Sequence, residues 1–214
     1  METEKKIGKN TKNRAESAVY AAAQLFLRER IEDVKMTDIA EASGIGVASL
    51  YRWFGNKETL VIYAGALLWR DLGALFENIY QDKAYQDKTG YAQIEALFGA
   101  YHVLYREHGD FIRFIADFDD YALRAPLDPQ ALAEYERSIL NFYPHFLRAF
   151  EKGITDGSVR PDADPQIFYD TVNHAMMSLS QKLLRGEILG QDRFLGSQEP
   201  ELLLTMALGW LQAK

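Results

Sequence analysis

The sequence contains no cysteine. That absence excludes a disulfide framework, a thiolate metal site and redox chemistry at sulfur, and it suits a reducing compartment such as the cytoplasm. A long apolar run is also missing. The best stretch, Leu60 to Trp69, is interrupted at once by Arg70 and Asp71, well short of the roughly 20 residues a membrane span needs. Near the N-terminus, Lys5, Lys6, Lys9 and Lys12 run on into polar and alanine-rich sequence rather than an apolar segment, so neither secretion nor insertion is expected. No period-2 alternation of useful length predicts a strand, and no 20–50-residue repeat predicts a solenoid.

An excess of positive charge is lacking as well, because 24 Lys/Arg face 31 Asp/Glu for a net charge of −7. Its distribution is uneven. Met1 to Lys57 hold ten basic and eight acidic residues, net +2, leaving 14 and 23 for the rest, net −9. A mildly basic head on an acidic body can grip phosphates locally while the body stays off nucleic acid.

With 48% apolar residues in 214, a sizeable core is available to one domain or two. The periodicity predicts an all-α fold of about nine helices. The first should run from about Asn10 to Asn13 as far as Arg30, with Ala18, Val19, Ala22, Leu25 and Phe26 on its apolar face. Short helices over Thr37 to Ser43 and Val47 to Phe54 flank a turn at Gly44-Ile45-Gly46, and a longer helix follows Gly55-Asn56 from Lys57 to about Tyr80. Gln81 to Gly90 reads as a loop, and His108-Gly109-Asp110 separates two further helices. Asp128-Pro129 and Asp164-Pro165 each place a capping carboxylate before a first-turn proline, predicting helices of about 25 and 20 residues. Glu199-Pro200 opens the last helix.

The informative stretch is Met36 to Gly55. A bend between two short helices needs a small residue where they touch, which Ala40 supplies, and a turn residue tolerant of positive φ, which Gly44 supplies. Ile39, Ile45, Leu50 and Phe54 are spaced to pack inward. Val47, Ala48, Ser49, Tyr51 and Arg52 remain on or near the outer face, small at its start and polar further on, as a helix entering a major groove requires. In Ile39-Ala40, Gly44, Leu50-Tyr51, Phe54 and Lys57-Glu58-Thr59-Leu60, with Phe26 upstream, the first quarter of the chain resembles the TetR family of transcriptional regulators.

That resemblance implies a helix-turn-helix DNA-binding domain over residues 1–56 and a ligand-binding and dimerisation domain over 57–214. It implies phosphate contacts from Tyr51 and Lys57, base contacts from Val47, Ala48, Ser49 and Arg52, and further phosphate contacts from Thr37 and Trp53. The pattern departs at Lys35, where Ser or Thr is usual, at Gly46, where Ser is usual, and at Trp53 before Phe54. The lysines from Lys5 to Lys12 read equally as a solvated terminus or as an arm reaching a minor groove.

The body is rich in aromatics, which form core more often than they line a cavity. Those expected to line an effector pocket are Tyr101, Tyr105, Phe114, Phe118, Phe142 and Phe146, together with His174. The resemblance also implies a homodimer through the last two long helices, carrying Phe168, Val172, Ala175, Met176, Leu179, Leu183, Leu203, Met206 and Trp210. No nucleophile-and-base pair, phosphate loop or histidine cluster stands out, so neither catalysis, a metal nor a cofactor is expected. The expected partners are an operator duplex, a second copy and an unknown small molecule, with no membrane.

Overall fold

A computed structural model describes residues 2–139, 142–185 and 198–213, with the backbone alone described for residues 2–11, 74–76, 78 and 134. The fold is all-α. In chain order the helices are α1 (Glu2–Phe26), α2 (Met36–Ser43), α3 (Val47–Phe54), α4 (Lys57–Gln81), α5 (Lys83–Gln86), α6 (Gly90–Glu107), α7 (Gly109–Ala122), α8 (Pro129–Ser138), α9 (Tyr143–Thr155), α10 (Pro165–Arg185) and α11 (Gln198–Leu211). None of them is long and apolar enough to cross a membrane, among the described residues. Strand-type pairing is limited, among the described residues, to an isolated bridge between Val159 and Gln212.

Several boundaries differ from the sequence expectation for identifiable reasons. Helix α1 begins earlier and ends at Phe26, four residues short of Arg30. The predicted 25-residue helix after Asp128-Pro129 is two helices, α8 and α9. Pro144 in the first turn of α9 has no N–H to donate to the preceding turn, so a helix can start there but cannot run through. Within the expected loop at 81–90, Asp82 caps the single turn of α5 by accepting from the Ala84 N–H at 2.9 Å. These two changes bring the expected nine helices to eleven among the described residues. The helix after Asp164-Pro165, at 21 residues, has the expected length.

The helices gather into two compact units, each built from two stretches of chain. Met1–Leu72 and Arg113–Leu140 form the first. Its core includes Ala18, Ala22, Phe26, Ile39, Leu50, Leu60, Phe114 and Phe118, all at most 3% exposed. On α1 the buried stripe runs through Ala18, Ala22, Ala23 and Phe26, while Val19 and Leu25 lie at its edge, half-buried. Small alanines let the crossing helices approach closely; Phe26 then fills the space at the end.

Gly73–Ile112 and Asn141–Lys214 form the second unit. Its core joins Ile94, Phe98, Phe146, Phe150, Phe168, Met176, Leu204 and Leu208. Phe146 sits edge-on to Phe98 at 5.8 Å and stacks on Phe168 at 6.0 Å. Where α6 meets α9, the backbones nearly touch: a Cβ on Gly90 would lie 2.0 Å from the Gly153 nitrogen and 2.3 Å from the Ala149 oxygen. Only glycine fits. The Asp156 carboxylate then accepts from the Gly90 N–H at 2.8 Å, fixing the start of α6 against the end of α9.

Candidate nucleic-acid interface

Helices α2 and α3 form the helix-turn-helix. At the end of α2, Gly44 adopts φ 66°, ψ 26°, and the Ile45 N–H donates to the Ala40 carbonyl at 3.0 Å. This left-handed closure redirects the chain within two residues, and a Cβ there would strain it. Lys35 precedes α2 where a capping Ser or Thr was expected. The cap comes instead from Asp38, whose carboxylate accepts the Lys35 N–H at 2.7 Å. Asp38 thereby supplies the carboxylate half of a capping box without help from residue 35. At Gly46 the backbone is ordinary extended, φ −60°, so that position does not need glycine's freedom.

The inward positions are those the spacing predicts. Ile39 and Leu50 are fully buried, and Ile45 and Phe54 nearly so. On the other side of α3, Ala48, Tyr51 and Arg52 are exposed, Tyr51 to 50%, while Val47, Ser49 and Trp53 are half-buried. The exposed face is therefore narrower than the sequence suggests. Arg52 lies over the Trp53 ring at 5.9 Å, and Trp53 meets Phe54 edge-on at 6.5 Å. Thr37 is exposed on the first turn of α2, its hydroxyl 3.3 Å from Asp38. The Lys5, Lys6 and Lys9 side chains lie outside the described residues, and Lys12 is exposed on α1.

Gly55, at φ 77°, closes α3 by donating to the Tyr51 carbonyl at 2.8 Å. Asn56 then caps α4, its side-chain oxygen accepting the Thr59 N–H at 2.9 Å. Lys57 is thus the first residue of a 25-residue helix, at the end where unpaired N–H groups and the helix dipole favour an anion. Its ammonium does not project freely. It donates to the Glu32 carbonyl at 3.2 Å, and burial lowers its pKa while Glu58, Asp33, Glu32 and Asp117 oppose that shift.

Sequence reasoning missed the link between this head and α7. In the connection from α1 to α2, the N–H of Ile31 donates to Asp117 at 2.6 Å, and Arg30 lies 3.8 Å from the same carboxylate. Arg124 bridges to Glu32 at 3.0 Å, and the Tyr121 hydroxyl donates to Glu58 at 3.2 Å. The loop that receives Lys57 is therefore held by α7 through the Asp117 carboxylate, 86 residues from Ile31 in sequence. Asn56 reads in the sequence only as part of the break before α4; an Asn directly ahead of a periodic apolar run is the signal that marks such a cap.

The residues expected to line an effector pocket divide between the two units. Phe114 and Phe118 are core residues of the first unit, and Phe118 stacks on Tyr135 at 4.5 Å. Tyr101, Tyr105, Phe142, Phe146 and His174 belong to the second unit. Tyr101 donates to Asn173, Phe146 is 1% exposed within the core, and His174 is solvent-exposed on α10.

Comparison with known proteins places this head. Residues 19–64 match the family described as bacterial regulatory proteins, tetR family. No curated protein matches the chain. In fold it is similar to the ketosteroid transcriptional regulator KstR2 of Mycobacterium tuberculosis, 22% identical across 94% of this chain and 96% of that one, with a TM-score of 0.58. The fatty acid degradation regulator FadR from Bacillus halodurans is 14% identical over 94% and 97% of the two chains, with a TM-score of 0.63. FadR from Bacillus subtilis, solved in complex with stearoyl-CoA, is 14% identical over 90% and 96%, with a TM-score of 0.62. Residues 19–64 thus carry the helix-turn-helix signature of the bacterial regulatory proteins of the tetR family, on a chain whose all-helical fold is similar to those of the solved structures above.

Proposed function

We propose that the protein is a homodimeric repressor that occupies a palindromic operator and is released by a small-molecule effector. The observation that carries this reading is the exposed face of α3, where Ala48, Tyr51 and Arg52 stand clear of a buried Leu50 and Phe54, next to the N-terminus of α4. Ala48 allows close approach to base edges, with Val47 and Ser49 beside it. Arg52 can pair with a guanine through two hydrogen bonds. Tyr51 and Lys57 grip phosphates, with Thr37 and Trp53 at the flanks. In this scheme residues 1–56 read DNA, and residues 57–214 bind ligand and dimerise. Neither catalysis nor a cofactor enters, and the protein works in the cytoplasm beside its operator.

The second protomer docks on α10 and α11. Ile167, Leu202, Met206 and Trp210 are 51–67% exposed, and the last three recur every fourth residue along α11 as one apolar stripe. Large apolar side chains grouped this way favour burial against a copy. Two α3 helices must then stand about 34–36 Å apart, or a multiple of it, to read successive half-sites.

Effector release works through α4, which begins at Lys57 and extends to Gln81. A ligand that prefers an altered position of α4 moves Lys57 and the loop it contacts. A coupling of about 1–3 kcal/mol suffices for a useful response. That this fold accepts a small-molecule effector is supported by the FadR of Bacillus subtilis, whose structure contains stearoyl-CoA. Selection of bound fragments from random duplex DNA tests the reading. An inverted repeat, bound by two protomers, is expected; enrichment of an asymmetric site occupied by one protomer overturns the dimeric reading.

A further inference from the structure

A cavity of about 350 Å³ in the second unit is lined by Tyr80, Tyr85, Gln86, Gln93, His145, Arg148 and Lys152. None of the seven is acidic. His145, Arg148 and Lys152 follow at i, i+3 and i+7 on α9 and so share one face. Arg148 Nη2 lies 2.9 Å from His145 Nδ1. A guanidinium can only donate, so Nδ1 accepts and the imidazole carries its proton on Nε2. Burial and the Arg148 charge both hold His145 below its ordinary pKa, in keeping with that neutral ring.

Much of the wall is built to stay in place. Tyr80 stacks on His145 at 3.8 Å with 12° between the rings, and meets Tyr85 edge-on at 6.1 Å. Gln93, itself only 6% exposed, donates to the carbonyls of Tyr85 and Gln86 at 3.0 and 3.2 Å. Lys152 donates to the Gln86 carbonyl at 2.9 Å, leaving two of its three N–H bonds for other acceptors. Asp156 influences Lys152 from nearby, but it accepts the Gly90 and Ser158 N–H groups and does not line the cavity. The Tyr80 hydroxyl is buried and has no hydrogen-bond partner among the described residues. A buried hydroxyl is costly to leave unpaired.

We propose that this cavity, where Arg148 and Lys152 converge with the unpartnered Tyr80 hydroxyl between aromatic walls, binds a small organic oxyanion: a carboxylate or a phosphate ester on a compact apolar body. The two cations and the His145 Nε2–H donate to the anion, and Tyr80 donates to a further oxygen. The tyrosine rings bury the apolar part. The volume suits a compact ligand, at the lower end of small-molecule sites. This site goes beyond the DNA-binding reading and does not depend on it.

Calorimetric titration of the full chain without DNA tests it, using phenyl phosphate, benzoate and benzylamine as probes with one ring and different charges. At least one anion should bind and benzylamine should not; the tighter of the two anions distinguishes an ester from a carboxylate. The Arg148→Ala, Lys152→Ala variant should bind about tenfold more weakly or worse, and Arg148→Lys, Lys152→Arg should recover most of the affinity. If the double alanine variant does not melt cooperatively, Arg148→Gln, at an exposed position, reports the same loss. Absence of binding by both anions, equal binding of benzylamine, or undiminished affinity in the charge-removing variants overturns the proposal.

Discussion

Replacing Asp117 with alanine should destabilise the first unit by about 2–3 kcal/mol. The Ile31 N–H donates to this carboxylate at 2.6 Å, and the Ile31 side chain is fully buried. Deletion of the acceptor leaves a part-buried donor unpaired, and a hydrogen bond to a charged group contributes about 1.5–3 kcal/mol. Arg30 adds little. Its side chain is 62% exposed and 3.8 Å from the carboxylate, so screening and side-chain entropy hold the pair to about 0–1 kcal/mol. Asp117→Asn keeps an oxygen for Ile31 but loses the charge, and should cost about 1 kcal/mol. Urea unfolding measures the series. The midpoint should fall in the order parent, Asp117→Asn, Asp117→Ala, with the slope unchanged, and Arg30→Ala should lie near the parent. A midpoint for Asp117→Ala within about 0.5 kcal/mol of the parent, or an Arg30→Ala loss as large as that of Asp117→Ala, would refute the view that this hydrogen bond ties the head to α7.

Three further outcomes follow from other parts of the molecule. Gly90→Ala places a Cβ 2.0 Å from the backbone of α9, which cannot yield as a side chain can, so it should cost at least about 3 kcal/mol in thermal or urea unfolding; a loss under about 1 kcal/mol contradicts the close approach. Met206→Glu puts a charge in the centre of the exposed α11 stripe and should shift sedimentation from dimer to monomer without lowering helical content; a persistent dimer removes α11 from the interface. Tyr135→Phe deletes the acceptor for the Trp69 indole N–H, 3.0 Å away, and should lower stability by about 1 kcal/mol, whereas an unchanged unfolding midpoint contradicts a net contribution from that bond.

The head was legible because its determinants are local. Gly44 must reverse the chain, Ala40 supplies the small residue at the bend, and Leu50 and Phe54 are one turn apart; each is a statement about neighbours in sequence. Asp117 could not be found this way. Its partner is 86 residues distant, and nothing in the pattern of α7 distinguishes it from Asp119 or Asp120. The split between α8 and α9 was readable at Pro144, whose missing N–H breaks the ladder, but the strong start signal at Asp128-Pro129 masked it. Aromatic residues of the body were legible only as a class. Phe146 and Phe118 fill cores, while Tyr80, with the same kind of ring, borders a cavity, and the difference lies in which helices meet around them. The two cations of that cavity, Arg148 and Lys152, carry no mark in the sequence that separates them from other charged positions.

The most direct test of DNA recognition by α3 and the start of α4 is the affinity of the selected duplex for the parent and for the Tyr51→Ala, Lys57→Ala variant at two salt concentrations. Tyr51 is half exposed and Lys57 is half-buried, neither belonging to the core, so the variant should remain folded. Its affinity should fall by at least about tenfold, with a shallower dependence on salt because a phosphate contact has been removed from each protomer. Equal affinity and an equal salt slope for the two proteins would contradict the assignment of this surface as the one that holds DNA.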